Sequence, residues 1–153
     1  MDRRTFLTTA TGIGATVTLA GCLGSSASGD YDIGMSTVRF KPANLEVSPG
    51  TTVVWKNTSK QGHTVTAYED EIPGAAEYWA TGGYDSESAA RKAWRSSGGG
   101  RLGQGDTFER EFTVPGTHAY VCIPHEQSGM AGTVTVTGET EASETVTATT
   151  EPR

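Results

Sequence analysis

The chain has 153 residues, 35% of them hydrophobic, and a formal charge of -6 at pH 7. That length gives room for one domain with one core, and the acidity argues against a nucleic-acid partner, which selects basic faces. Its two cysteines, Cys22 and Cys122, fall in an N-terminal targeting segment and a late motif, so no disulfide is expected.

In chain order, Arg3-Arg4 precedes a weakly apolar stretch that runs to about Ala20. A twin arginine before such a stretch reads as a Tat-type export signal. The stretch is too short, and too rich in Thr and Gly, for a membrane span. Leu19-Ala20-Gly21-Cys22 resembles a lipobox, which would leave Cys22 as the lipid-bearing first residue. Cleavage there removes two arginines and one aspartate, so the mature chain is more acidic still. Such acidity suits solubility at high salt. Residues 1–21 are thus expected to be a lipoprotein signal peptide. Residues 22–33 follow as a tether, Gly/Ser/Ala-rich from Gly24 to Gly29. The folded domain is expected over 34–138. The Thr/Glu/Ala-rich tail, 139–153, has almost nothing to bury and is expected to be disordered.

Between those ends the signals are those of strands. Thr37 to Phe40, Asn44 to Val47 and Thr51 to Asn57 are short β-favouring runs, separated by Lys41-Pro42 and Ser48-Pro49-Gly50. His63 to Ala67, Thr107 to Val114, His118 to Cys122 and Gly132 to Thr137 continue the series, with Pro115-Gly116 as a further turn. Several short strands spaced by turns predict an all-β sandwich. Tyr68 to Gly105 departs from that pattern. Within it, Asp85 to Arg95 reads as a helix capped by Asp85 or Ser86, with basic residues in its last turn. Tyr78, Trp79, Tyr84 and Trp94 are candidates to fold this insertion back onto the sandwich; a partner-docking surface is the other reading.

The chemistry gathers late, in Cys122, His125 and Met130, spaced C-x2-H-x4-M. Thiolate, imidazole and thioether suit copper cycling between its two common oxidation states. With His63 as a second imidazole, the set supplies a trigonal plane and Met130 a weak axial donor, the ligand set of a blue-copper site. His118 shares strand parity with Tyr120 and Cys122 and competes for the same role, although a hydrogen-bonding core position suits it better. A hydrolase with Cys122 as nucleophile and His63 or His118 as base would leave Met130 without a purpose.

The run Thr117 to His125, followed by Gly129-Met130-Ala131-Gly132, resembles the copper loop of plastocyanin-like cupredoxins, and most of all that of the halocyanins. The likeness spans about residues 34–138. Gly62-His63-Thr64-Val65 resembles the family's first-ligand turn, and the segment from Glu69 to Ser86 looks like the matching halocyanin insertion. The resemblance implies a Greek-key β-sandwich holding one copper ion on His63, Cys122, His125 and Met130. It also implies a one-electron carrier rather than an enzyme, with copper delivery or storage as the alternative. By the same likeness the backbone N–H of Thr64 donates to the Cys122 sulfur, whereas Pro124, lacking an N–H, cannot. Plant plastocyanins carry a tyrosine immediately before the copper cysteine. Val121 stands there instead, which favours electron exit through the exposed edge of His125, with Ile123, Pro124, Met130 and Ala131 expected as an apolar docking rim around it. The expected partners are redox proteins docking near His125, with the protein a lipid-anchored monomer on the outer face of the cytoplasmic membrane. Asn57-Thr58-Ser59 also matches a glycosylation sequon.

Overall fold

The alternation in Thr51–Asn57 places Val53, Trp55 and Asn57 inward and leaves the intervening residues toward solvent. A strand with one apolar face must bury it against a second layer, and this computed structural model, which describes residues 30–138, shows that layer. Among the described residues, eight strands form two four-stranded sheets. We number them β1 (Ile33–Met35), β2 (Phe40–Lys41), β3 (Asn44–Val47), β4 (Thr51–Asn57), β5 (Thr66–Ala67), β6 (Thr107–Phe112), β7 (Gly116–Val121) and β8 (Ala131–Val136). One sheet runs β2-β1-β4-β6 and the other β3-β8-β7-β5. β1 with β4 and β3 with β8 are parallel; the remaining pairs are antiparallel.

The layers meet through aromatic side chains. Trp55 of β4 stands edge-on to Tyr120 of β7, ring centroids 5.5 Å apart, and Phe40 of β2 meets the same ring at 4.8 Å. Trp79 closes the cluster against Trp55 and Phe112 at 5.7 and 5.5 Å. Burying each such side chain contributes roughly 1.5–3 kcal/mol, so this cluster dominates the core. Trp79 comes from the insertion and is 3% exposed, while the Tyr78 hydroxyl donates to the Ala67 carbonyl at 3.1 Å. The insertion therefore packs onto the sandwich.

Helix α1 (Glu87–Ser97) lies where a helix was expected, two residues later at each end. Ser86 is its cap, accepting from the Ala89 N–H at 3.1 Å, and Gly98 ends it in the left-handed conformation at φ 68°.

Three expectations need correction. The folded part begins before residue 34: Ile33 opens β1 and is fully buried, and the Asp32 carboxylate accepts from the Val54 N–H at 2.8 Å. A three-residue strand with glycine at its centre shows no alternation to read. The expected strand Thr37 to Phe40 is mostly a turn, closed by Ser36 N–H to Arg39 C=O at 2.9 Å. The strand expected from His63 shrinks to Thr66–Ala67, because His63 pairs only with Leu102, from the insertion. The export signal, Cys22, the tether's Gly24 to Gly29 and the tail 139–153 lie outside the described residues.

Candidate metal centre

β7 ends at Val121, and the next residue, Cys122, is fully buried. From there the chain makes a short 3-10 turn, Ile123–Ser128, and returns into β8. The Cys122 N–H donates to the Met130 carbonyl at 2.9 Å and the Met130 N–H to the His125 carbonyl at 3.2 Å, which closes the loop on itself. Gly129 makes the return possible by taking φ 78°, a left-handed conformation costly for residues with a Cβ. Its role is conformational rather than close backbone approach, since a Cβ there would meet nothing within 4 Å.

His63 arrives from the other side of the site. Reciprocal backbone bonds with Leu102, 3.1 and 2.7 Å, fix its main chain. Its Nδ1 lies 3.5 Å from the Cys122 Sγ, and the His125 Nδ1 lies 3.4 Å from the same sulfur. The three donor atoms all fall within 4.8 Å of one another. His63, Cys122 and Met130 are fully buried, while His125 keeps partial exposure. Two imidazole nitrogens converging on one sulfur, beside a buried thioether residue, fit a copper ion with mixed nitrogen and sulfur donors.

The surrounding groups prepare those donors. Burial, and then the coulombic effect of the neighbouring His125 ring, push the His63 pKa down to about 4, so its imidazole is neutral at ordinary pH. Its other nitrogen, Nε2, lies 2.9 Å from the Ser59 hydroxyl, which in turn donates to the Asn57 Oδ1 at 3.0 Å. With Nε2–H donating to Ser59, Nδ1 carries the free lone pair that a metal requires. Burial pushes the Cys122 thiol up, and the backbone N–H of Thr64 opposes this from 3.5 Å, so the expected donor is present. Thr64 also accepts the Ile123 N–H through its hydroxyl at 2.9 Å. Pro124 sits in the first turn of the 3-10 segment.

His118 takes no part in this cluster. It is buried, and its Nε2 lies 2.9 Å from the Val114 carbonyl, a core hydrogen bond. Nor is Asn57 available for a glycan: it is fully buried, its amide donates to the Gln61 and Leu102 carbonyls, and its oxygen accepts from Ser59. The sequon match is local spelling; strand parity places Asn57 inward with Trp55.

Beside His125, Glu126 accepts two hydrogen bonds from Arg91 of α1, at 2.7 and 2.9 Å, and one from the Tyr68 hydroxyl at 3.0 Å. Arg91 holds the Glu126 carboxyl below the usual carboxylate range, while burial and Glu126 push Tyr68 up to about 12.

A family model for copper binding proteins of the plastocyanin/azurin family matches residues 27–137. The chain belongs to that family. Plastocyanin from Scenedesmus fuscus is 31% identical over 97 residues, covering 63% of this chain and 85% of the relative. The major chloroplastic plastocyanin of Arabidopsis thaliana is 32% identical over 103 residues, which is 67% of this chain but 54% of the relative. Among solved structures, a purple cupredoxin from Nitrosopumilus maritimus is 25% identical, with a TM-score of 0.46 over 71% of this chain and 100% of that one. The family assignment rests on the sequence matches. Copper is thus the ion of the plastocyanin/azurin family, and the donor set of this member suits it.

Proposed function

We propose that this chain is a blue-copper electron carrier, with one copper ion on His63, Cys122 and His125 and with Met130 as the weak fourth donor. The observation that carries the reading is the convergence of the three donor atoms within 4.8 Å of one another. Copper bound there alternates between Cu(I) and Cu(II) and supplies one-electron chemistry; the protein catalyses no net reaction. The chain's own part is to hold the donors. Buried ligands fixed by backbone bonds resist the rearrangement that a change of oxidation state would otherwise demand. Only His125 among them reaches toward solvent, which favours exchange of electrons at its edge over exchange of the ion and so weighs against delivery or storage.

The fuller reading places this carrier outside the cell. Twin arginines Arg3-Arg4 and the lipobox-like run ending at Cys22 support export and a lipid anchor on the outer face of the cytoplasmic membrane. Membrane-associated redox proteins would then dock around His125, and the halocyanin-like pattern supports such a setting. The test is direct. Purified protein given Cu(II) should turn intensely blue through thiolate-to-copper charge transfer and bleach reversibly with a reductant. A colourless product, or colour that survives Cys122→Ser, would refute the assignment; mass analysis of the membrane-extracted protein checks for lipid on Cys22.

A further inference from the structure

Glu126 follows directly on His125, yet its carboxylate is engaged by residues far away in sequence. Arg91 grips it with both terminal nitrogens, at 2.7 and 2.9 Å, and the Tyr68 hydroxyl adds a third bond at 3.0 Å. Arg91 is itself oriented: its Nε donates to the Glu87 carboxylate, one helical turn earlier, at 2.8 Å. Glu87 and Glu69 then exchange bonds, each backbone N–H donating to the other's carboxylate, at 2.9 and 3.2 Å. This ties the start of α1 to the turn after β5. The Arg91 and Glu126 side chains are 20% and 36% exposed. Bidentate geometry in a partly dry setting makes such a pair stronger and more directional than an ordinary surface ion pair.

From this geometry we infer that Arg91 is a positioning residue for the copper loop, pinning Glu126 and thereby the backbone that carries His125. The inference rests on the electron-carrier reading for its purpose, but the clamp can be tested without copper. The same pair also sets the local field, since Arg91 neutralises a carboxylate one residue from a ligand. Removal of Arg91 leaves the Glu126 charge uncompensated there, whereas removal of Glu126 takes away a negative charge and leaves Arg91 paired with Glu87.

The test uses the full chain and three variants: Arg91→Gln, Glu126→Gln and Arg91→Lys. In the copper-free protein, the amides of His125, Gly129 and Met130 donate within the loop and report its opening by hydrogen exchange. Arg91→Gln should speed their exchange about tenfold, the loss expected for a charged bidentate pair. Amides of the β4–β6 ladder should keep their rates. Arg91→Lys retains the charge without the fork, so it should restore only part of the protection. In the copper-loaded protein, Arg91→Gln should lower the reduction potential, because an unpaired carboxylate favours Cu(II). Glu126→Gln should raise it. Unchanged loop exchange in Arg91→Gln would overturn the proposal, as would equal acceleration at every slow amide, which reports only lost stability. Potentials that stay fixed or move in the same direction would overturn the electrostatic part. If the parent protein forms no blue site, the carrier reading fails while the copper-free exchange data still decide the clamp.

Discussion

The depressed pKa of His63 makes the copper-free protein acid-labile in a defined window. The imidazole is fully buried, and burial, with a smaller coulombic effect of the neighbouring His125 ring, takes its pKa from 6.5 to about 4. Above pH 6.5 the ring is neutral in folded and unfolded chains alike, so it contributes no pH dependence. As pH falls from 6.5 the unfolded chain takes up the proton first, and stability drains away until the folded state protonates near pH 4. At about 1.4 kcal/mol per pH unit the full loss is about 3 kcal/mol, a large share of a small domain's stability. Urea unfolding of the copper-free chain at pH 7, 5.5 and 4 measures it, with His63→Gln as reference. Burial also lowers the pKa of His118, but that contribution is common to both proteins and cancels in the comparison. Wild type should lose about 3 kcal/mol more than the variant between pH 7 and 4. Equal losses in the two proteins would refute the burial argument. Copper should flatten the wild-type curve by occupying the nitrogen that would otherwise protonate.

Three further outcomes follow from the same site and core. Because burial raises the Cys122 thiol, Cu(II) uptake at pH 8 should release about one proton per ion, measured by calorimetry in buffers of different ionisation enthalpy and abolished in Cys122→Ser. Ser59→Ala removes the Nε2 partner of His63 and should weaken copper affinity about 10- to 100-fold, with Ser59→Thr restoring most of it in a competition titration. Trp79→Ala empties the centre of the aromatic cluster and should cost about 3–5 kcal/mol in urea unfolding; a cost near zero would mean that the insertion is not part of the core.

What could be read in the chain depended on how local each signal was. Cys122, His125 and Met130 fall within nine positions and combine ligand chemistry with a fixed spacing, so the loop was visible before any fold was known. β4 was also legible, as a β-favouring run bounded by the turn Ser48-Pro49-Gly50, although its inward face emerged only from the burial of Val53, Trp55 and Asn57. His63 carries no such local pattern and required the likeness of its turn to a family. Ser59 gave no signal of a role beside the histidine. Asn57 offered one, a polar residue on the inward parity of β4, although the sequon across Asn57 to Ser59 spelled a surface site instead. The pairing of Arg91 with Glu126 spans 35 positions, and no periodicity links a helix on an insertion to a metal loop.

The insertion, which interrupts the strand pattern, reaches both histidines of the site. At its far end Leu102 holds the His63 backbone through two hydrogen bonds and accepts the Asn57 amide. At its near end Tyr68, and from α1 Arg91, hold Glu126 beside His125. The two attachments differ in kind. His63 is secured by buried backbone bonds, which salt does not screen and side-chain substitution does not remove. The loop at His125 leans on an ion pair with partial solvent access, which added salt and single substitutions weaken. The His125 side is therefore the softer side of the site, and it is also the side nearest solvent. Rising ionic strength should accordingly speed amide exchange at Gly129 and Met130 while leaving the His63–Leu102 pair protected, and loss of protection at His63 first would reverse this assignment of the weak point.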